Sequence, residues 1–507
     1  MASVLRWGLN AGVCALSLLV ASVQSARADT LVDAIALAYG TNPTLQGERA
    51  QLRFTDETYV QARAGYRPTA SASASGSWSW EKLGTPTCTV LGCLPASSNI
   101  NSLSTTVSLT QPLYTGGRAT ARVRGAEADV LAGRETLRQT EGQVMLSVIQ
   151  VYMDVRRDEQ SLAIRKDNVA VLQRQVDETR ARFDVGEVTR TDVAQSEAQL
   201  AAAQSLLSSA QAQLANSRAA YAAVVGQSPA GLDPEPAFKV FPETVEQAYD
   251  TTRQNNPAIR KADYTQQGAE AQLAEAKAQR MPSLALQGQF GYSQPIDPWA
   301  PSMYDRSFTA GVVLSQPLFT GGVTSSQIRQ AVEQDNFARI QLEQARRTAD
   351  QDIAQSWNRL LAARANITAD EEQVRAARVA FEGTRAEQQV GLRTTLEVLN
   401  AQQVLEEAQL ALVNARHDEY LASASVLNVM GLLEARDIAP QVALEEGGHS
   451  FEQLKHTFGY VPGVEDGVSA LDSLGAPTIV RAPPAVDAPI TTGKTDARAT
   501  SGPSGGS

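Results

Sequence analysis

The sequence predicts a mostly α-helical protein with a membrane β-barrel, in which a helix–strand–strand–helix unit is duplicated. Three features of the 507 residues support this fold class: motifs of the first half recur in the second, four short segments alternate apolar and polar residues without a charge, and two long stretches lack proline. A period of about 200 residues is too long for a solenoid, so we expect two tandem copies of one structural unit.

The two copies are recognised by motifs at constant spacing. Three motifs recur in the same order: Asn42-Pro43 as Asn256-Pro257, Gln111–Gly117 (QPLYTGG) as Gln316–Gly322 (QPLFTGG), and Val185-Gly186 as Val390-Gly391. The last two are offset by 205 residues. We therefore predict a first repeat at 29–226, a linker at 227–243, a second repeat at 244–431, a C-terminal segment at 432–474 and a disordered tail at 475–507 that is rich in Pro, Gly, Ala, Thr and Ser.

The first 28 residues have the pattern of a secretory signal peptide. Arg6 is followed by the mostly apolar run 11–23 and by Ala26-Arg27-Ala28, a small-residue cleavage site, so the mature chain would begin at Asp29. The alternative is an N-terminal membrane anchor, for which the run falls short of the roughly 20 residues that a span needs. No other long apolar run follows.

Charge and cysteine content narrow the classes of partner and site. The formal charge is −11, and loss of Arg6 and Arg27 with the signal peptide lowers it to −13, which argues against nucleic acid as a partner. Cys88 and Cys93 are the cysteines left after processing, and in an oxidising compartment they are candidates for a local disulfide. No histidine lies near them, so a metal site is not expected there.

The sequence offers no case for catalysis. Of the three histidines, His417, His449 and His456, the last two flank Glu452 at a loose metal-ligand spacing, but no further strong ligand follows. No glycine loop of the Walker type is found. We therefore expect no enzyme, no metal and no cofactor.

Each copy begins with a helix and continues with two strands. The first helix is predicted over 31–67 and ends before Pro68. Strands are predicted at about 69–80 and 103–113 in the first copy and at about 283–292 and 307–316 in the second. In the first strand Ala, Gly and Trp occupy one face and Ser the other.

The strands have the length and composition of membrane strands. Each is about 10 to 12 residues long, the length of a tilted bilayer-spanning strand, and none carries a charge. Aromatic residues mark both ends: Trp78, Trp80, Phe290, Tyr292 and Phe308 towards the loops, and Tyr66, Tyr114 and Phe319 towards the helices. The alternative is a soluble β-sandwich or a surface hairpin packed on helices.

A long helix follows each strand pair. Residues 118–184 and 323–389 contain no proline, and at about 1.5 Å per residue each helix would be roughly 100 Å long. A heptad series predicts a coiled-coil seam: Val148, Val155, Leu162, Val169, Val176 and Phe183. After the turn at Val185-Gly186 a return helix is predicted over 187–225, and we expect it to stack coaxially with the first helix.

Four strands cannot close a membrane barrel, because an open edge in lipid leaves backbone groups unsatisfied at a cost of several kcal/mol each. The chain must therefore associate with copies of itself. Two chains would give about eight strands, and three would give about twelve, enough to leave a lumen.

These residues resemble the TolC-type outer-membrane factor family. The resemblance is carried over about 31–431 by the Asn-Pro near each start, the proline before each odd strand, the Q-P-L-(Y/F)-T-G-G motif and V-G-x-x-T at each tip. It implies a trimer with a twelve-strand barrel in the outer membrane and a twelve-helix tube through the periplasm. It also implies that the tips contact a periplasmic adaptor (membrane fusion) protein bound to an inner-membrane ABC or other pump.

The resemblance also implies a periplasmic gate at the tips. Arg393 matches an arginine that latches to residues matching Thr191 and Asp192, a tyrosine of the latch is replaced by Gln388, and of two acidic rings Glu397 keeps the charge while Asn400 loses it. The adaptor contacts correspond to Val185, Gly186, Glu187, Val188, Thr189, Val390, Gly391, Leu392, Arg393 and Thr394. The alternative is a pair of ordinary helix–turn–helix tips with solvated ion pairs.

Taken together, these features predict a trimeric outer-membrane channel-tunnel that forms the exit duct of a tripartite export system. Type I protein secretion is favoured as its task by the resemblance, and efflux of drugs or other small molecules is the alternative. A periplasmic coiled-coil adaptor or an adhesin is a more distant alternative, which duplicated hairpins with interleaved strands do not fit.

Overall fold

The structure is a computed structural model that describes residues 30–82, 88–90, 92–93, 97–238, 241–295, 304–434, 449–457 and 459–477. The predicted signal peptide and nearly all of the predicted tail lie outside these residues. None of the helices in the described ranges is both long enough and apolar enough to cross a membrane.

Both copies begin with two helices in place of the single helix predicted over 31–67. In the first copy these are α1 (Leu31–Thr41) and α2 (Pro43–Arg63), followed by a 3₁₀ turn at Ala64–Tyr66, and in the second they are α5 (Val245–Asn255) and α6 (Pro257–Ala278). The prediction was wrong because the Asn-Pro motif ends one helix and starts the next. The Oδ1 atom of Asn42 accepts a hydrogen bond from the Thr44 amide at 3.0 Å, and Pro43 occupies the first helical position.

The long helices have the predicted bounds. They are α3 (Arg118–Asp184) and α7 (Val323–Gln389), of 67 residues each. The return helices are α4 (Arg190–Val225) and α8 (Thr395–Val429). The first of these starts later than the predicted residue 187, because Thr189 forms its N-terminal cap. In the heptad seam Val148, Val155 and Val176 are buried, whereas Phe183 at the end of α3 is 43% exposed.

The strands form one antiparallel sheet in the order β1-β4-β5-β6. They are β1 (Thr69–Lys82), β4 (Ser97–Tyr114), β5 (Ser283–Pro295) and β6 (Asp305–Ser315), with a small separate ladder of β2 (Cys88–Thr89) and β3 (Gly92–Cys93). Hydroxyl pairs cross from β1 to β4, where Ser71 pairs with Ser108 and Ser77 with Ser102 at 2.7 Å each. The strands extend past the predicted ends and take in charged residues there: Glu81, Lys82, Asp305 and Arg306.

The core lies where the helices of both copies meet. Its largest cluster joins α1, α3, α4 and α8 around Ile35, Val148, Tyr152 and Tyr221. Beyond residue 448 two short helices, α9 (Phe451–Lys455) and α10 (Val464–Leu474), pack against α2, α3 and β4 of the first copy. The hairpins α3–α4 and α7–α8 extend away from the sheet and end in the predicted tips.

Candidate functional site

Both tips turn in the same way. Gly186 and Gly391 have φ values of +81° and +79°, a left-handed conformation that costs a residue with a side chain about 1–2 kcal/mol. The amide of Glu187 donates to the Arg182 carbonyl at 2.9 Å, and the amide of Leu392 donates to the Glu387 carbonyl at the same distance. The repeated Val-Gly motif therefore builds two equal turns.

Each return helix starts with a reciprocal cap. The amide and hydroxyl of Thr189 donate to Oδ2 of Asp192 at 2.9 and 2.7 Å, and those of Thr394 donate to Oε2 of Glu397 at 2.8 and 3.0 Å. In return each carboxylate residue's amide donates to the threonine hydroxyl. Hydrogen bonds from Thr189 lower the pKa of Asp192. The Thr394 amide and then Arg393 lower the pKa of Glu397 to about 2.

Arg393 is held within its own hairpin. Its Nε donates to Glu387 at 2.8 Å and its Nη1 donates to Glu397 at 2.9 Å, and these two hydrogen bonds raise the pKa of Arg393. In the described part of the chain no hydrogen bond or ion pair joins Arg393 to Thr191 or Asp192. A latch between Arg393 and these two residues stays a prediction.

The other predicted gate residues differ in burial. Gln388 is 3% exposed, and its Oε1 atom accepts no hydrogen bond within the described structure. Asn400 is exposed on α8, one helical turn beyond Glu397. Of the two positions predicted to line the aperture, Glu397 alone supplies a carboxylate, and its low pKa keeps it ionised at neutral pH.

The tips expose apolar side chains. Val185 is 72% exposed, Val390 71% and Leu392 75%. Exposed apolar groups that cluster at the end of an element are typical of contact sites for other proteins. Adaptor contacts at the predicted tip residues, 185–189 and 390–394, stay a prediction.

Sequence reasoning missed a buried polar network between the hairpins. Glu406 on α8 accepts hydrogen bonds from Arg165 and Asn168 on α3, both at 2.6 Å, and Gln402 donates to Asn168 at 2.9 Å. Three of these four residues are buried. The signal was present in the sequence, since Gln402 and Glu406 lie one turn apart on the same face of α8, but polar residues at that spacing usually indicate a solvated face.

Cys88 and Cys93 are paired backbone positions of the β2–β3 ladder. The disulfide between them stays a prediction. Among the described residues no group of three or more His, Cys, Asp or Glu side chains is placed to hold a metal ion.

The chain matches known proteins over most of its length. The profile of the family described as "Outer membrane efflux protein" matches residues 34–227 and 248–432. The outer membrane efflux protein BepC of Brucella suis is 35% identical over 449 residues, which make up 88% of this chain and 95% of that protein. The outer membrane protein TolC of Vibrio cholerae is 29% identical over 66% of this chain and 78% of that protein. The alkaline protease secretion protein AprF of Pseudomonas aeruginosa is 24% identical over 69% of this chain and 74% of that protein.

Solved structures have the same fold. The outer membrane protein VceC of Vibrio cholerae superimposes with a TM-score of 0.67 at 23% identity, over 79% of this chain and 96% of that chain. Long paired helices joined to four strands are therefore common to both, and the predicted fold class is confirmed.

Proposed function

This chain belongs to the outer membrane efflux protein family, and we propose that three copies of it form the exit duct of a tripartite export system. The resemblance to TolC-type outer-membrane factors is confirmed by the family match and the relatives. The protein is an outer membrane efflux channel with its helical tube in the periplasm. On this proposal it is a passive duct, has no enzymatic activity and needs no cofactor.

The open sheet carries the proposal of a ring of chains. The four strands have two free edges, β1 and β6, and most side chains of the sheet are exposed on a single chain. In lipid such edges must pair, and pairing β6 with β1 of the next chain leaves no edge once the ring closes. Three chains give about twelve strands and a lumen, whereas two would give about eight strands around a filled interior.

The tips support a partner at the periplasmic end. We infer that Val185, Val390 and Leu392 contact a periplasmic adaptor protein, which links the duct to an inner-membrane ABC transporter or another pump. The exposed apolar area at both tips, repeated around a ring, supports this contact. The energy for transport would come from that pump.

Type I protein secretion is our proposal for the cargo. It is supported by the similarity to AprF, which is named for alkaline protease secretion. Efflux of small molecules is the second candidate, because BepC is named as an efflux protein. Deletion of the gene separates the two: loss of a secreted protein supports secretion, and raised drug sensitivity with an unchanged set of secreted proteins supports efflux.

The duct and its gate are tested by conductance. Purified protein is expected to insert into planar bilayers and conduct ions, with larger or more frequent openings for Arg393→Ser, because that change removes the guanidinium that is predicted to latch to Thr191 and Asp192. Arg182→Ser is the matched control at the first tip, where Arg182 pairs with Glu187 at 3.2 Å. Equal conductance of Arg393→Ser and wild type would refute the gate assignment, and absence of any conductance would refute the duct.

A further inference from the structure

Helix α10 (Val464–Leu474) has its polar face inward and its apolar face outward. Glu465 and Asp472 are fully buried, whereas Leu471 is 53% and Leu474 85% exposed. A surface helix normally turns its apolar face towards the core. Here the two inward carboxylates are satisfied by ion pairs and hydrogen bonds with the first copy, which fix α10 in the opposite orientation. The outward leucines therefore form an apolar surface that is open to another molecule.

A second exposed apolar pair lies in the second Q-P-L-F-T-G-G motif. Leu318 and Phe319 are almost fully exposed on the single chain. The residue of the first copy that matches Phe319 is Tyr114, which lies against the C-terminal end of α10, because a Cβ at Gly475 would clash with the tyrosine ring. Phe319 has no such cover from the described residues. The motif of the second copy therefore leaves a matching apolar surface open.

The contact between the two copies of one chain is a template for the contact between chains. Strand β4 pairs with β5 so that Thr110 lies opposite Gln287. The repeat offsets, 205 residues from β4 to β6 and 214 residues from β1 to β5, then place Ser315 of β6 opposite Ser73 of β1 in the next chain. In this register the apolar face of one strand continues the apolar face of the other. The opposed apolar positions are Leu314 and Ala74, Val312 and Gly76, and Phe308 and Trp80.

The same template brings α10 of one chain to the second junction of its neighbour. Within the chain Gly116 lies so close to the start of β5 that a Cβ there would clash with Met281. The equivalent contact places Gly321 against Arg67 of the next chain. No described residue of the single chain lies within 4 Å of a Cβ at Gly321, so this space is free for the neighbour. Because Arg67 binds Glu465 at 3.0 Å, it brings α10 of that chain beside the exposed motif.

We propose that α10 is a contact between chains, in which Leu471 and Leu474 cover Leu318 and Phe319 of a second copy of this chain. The inward carboxylates hold the helix on its own chain by charged hydrogen bonds, and the outward leucines bind the neighbour by burial of apolar surface. The repeat geometry favours a neighbouring chain over lipid as the cover, because it places the two apolar pairs side by side. This inference rests on the proposed ring of chains.

A cross-link tests whether the two apolar surfaces meet. One variant carries Leu474→Cys and Phe319→Cys, and a control for the ring carries Ser315→Cys and Ser73→Cys, the positions that the repeat pairs between chains. Both are made in a chain in which the two cysteines that follow the predicted signal peptide are replaced by serine. Outer membranes that contain each variant are treated with a short bifunctional thiol reagent, and the readout is the mass of the product on a denaturing gel.

We expect both pairs to give products of two and three chains. Leu474→Cys with Phe337→Cys should give none, because Phe337 is an exposed residue about 20 Å further along α7. Linked chains for the ring control but not for Leu474→Cys with Phe319→Cys would overturn the inference and leave the ring intact. A folded protein in which neither of these two pairs links chains would refute the ring itself.

A double-mutant cycle separates a contact between chains from a contact with lipid. Leu474→Ser and Phe319→Ser should each raise the rate at which the purified oligomer dissociates in detergent about tenfold, since each removes a buried apolar side chain. Together they should raise it far less than about a hundredfold, because the second change removes a contact that is already lost. Leu474→Met, which keeps an apolar side chain, should dissociate like wild type. Independent effects of the two changes would indicate that both residues face lipid, and unchanged rates would show that neither is covered; either result would overturn the inference.

Discussion

The two strand-to-helix junctions of the repeat have nearly the same sequence but different surroundings. Gly117 and Gly322, the last residues of the two Q-P-L-(Y/F)-T-G-G motifs, have φ values of +84° and +88°, and each precedes a helix of 67 residues. The first junction is covered by α10, whereas at the second Leu318 is 92% and Phe319 90% exposed on the single chain. Equal motifs therefore give equal backbone geometry, but a distant segment controls burial.

At the first junction the carboxylate of Asp472 caps the N-terminus of α3. Asp472 of α10 is fully buried and accepts five hydrogen bonds: from the amide and hydroxyl of Thr115, the amide of Gly117, and the amide and hydroxyl of Thr120. Burial would raise the pKa of Asp472, but the hydrogen bonds from Gly117 and Thr115 outweigh burial and lower it. Negative charge at a helix N-terminus also stabilises the helix.

A second carboxylate anchors α10 itself. Glu465, also fully buried, pairs with Arg63 at 2.6 Å and with Arg67 at 3.0 Å. At the second junction the hydrogen bond between the hydroxyls of Thr320 and Thr324, at 3.0 Å, is local. The C-terminal segment thus covers the first junction, while the second junction is exposed on the single chain.

The largest expected effect comes from Asp472→Ala. It leaves several buried donors at the first junction unsatisfied, at a cost on the order of 3 kcal/mol, and detaches α10. Hydrogen exchange measured by mass spectrometry should rise by about two orders of magnitude for amides 115–121, because 1.4 kcal/mol corresponds to tenfold. Amides 320–326 of the same protein are the internal control. Equal exchange at the two junctions in the variant and in wild type would show that the cap is unimportant.

A matched pair of glycine substitutions separates the cost of backbone strain from the cost of a clash with the C-terminal segment. Gly117→Ala and Gly322→Ala both place a side chain at positive φ, which costs about 1–2 kcal/mol. At Gly117 the new Cβ would also clash with the Ala476 Cα, whereas at Gly322 nothing lies within 4 Å. The melting temperature of the purified protein should therefore fall further for Gly117→Ala. Equal melting temperatures would mean that the C-terminal segment moves aside at no cost.

The smallest effects are expected at the tips, where both copies carry the same cap. Thr189→Ala and Thr394→Ala should each destabilise the start of their helix by about 1 kcal/mol, measured by hydrogen exchange of the first turn. The hydrogen bonds that Thr394 donates to Glu397 also depend on pH. The pKa of Glu397 is lowered from 4.5 to about 2. The ionised Glu397 therefore stabilises the start of α8 fully above pH 4.5, and this stabilisation is lost as the pH falls through about 2. Loss of protection already at pH 6 would contradict this cap.

Much of the fold could be predicted because its signals are local. The bounds of α3 and α7 follow from glycine pairs before them, Val-Gly turns after them and no proline between, and all of these act within a few residues. The sequence does not predict the break at Asn42-Pro43, because helical composition continues on both sides of the motif. Strand ends were short by a few residues, since pairing with a neighbour extends a strand past its apolar pattern.

Of the candidate site, the Val-Gly turns could be predicted, whereas the threonine caps and the partner of Arg393 within the chain were not. Within the chain it meets Glu387 and Glu397 of its own hairpin, which are close at almost no cost in conformational entropy. The buried polar network around Glu406 joins residues 241 positions apart, Arg165 and Glu406, so no local pattern indicates it.

The amino-acid sequence alone therefore determines the duplication, the long helices, the alternating strands and the equal tips. It does so because the spacing of apolar residues, and the turns and helix ends made by glycine and proline, depend on only a few neighbouring residues. Three-dimensional packing settles which of the two Q-P-L-(Y/F)-T-G-G motifs is buried, and it places the carboxylate of Glu406 between α3 and α8. Asp472 and Thr115 are 357 residues apart in the sequence, and only the folded chain brings the carboxylate to the amide. Burial and hydrogen-bond partners depend on such distant neighbours, whereas backbone conformation depends on adjacent residues.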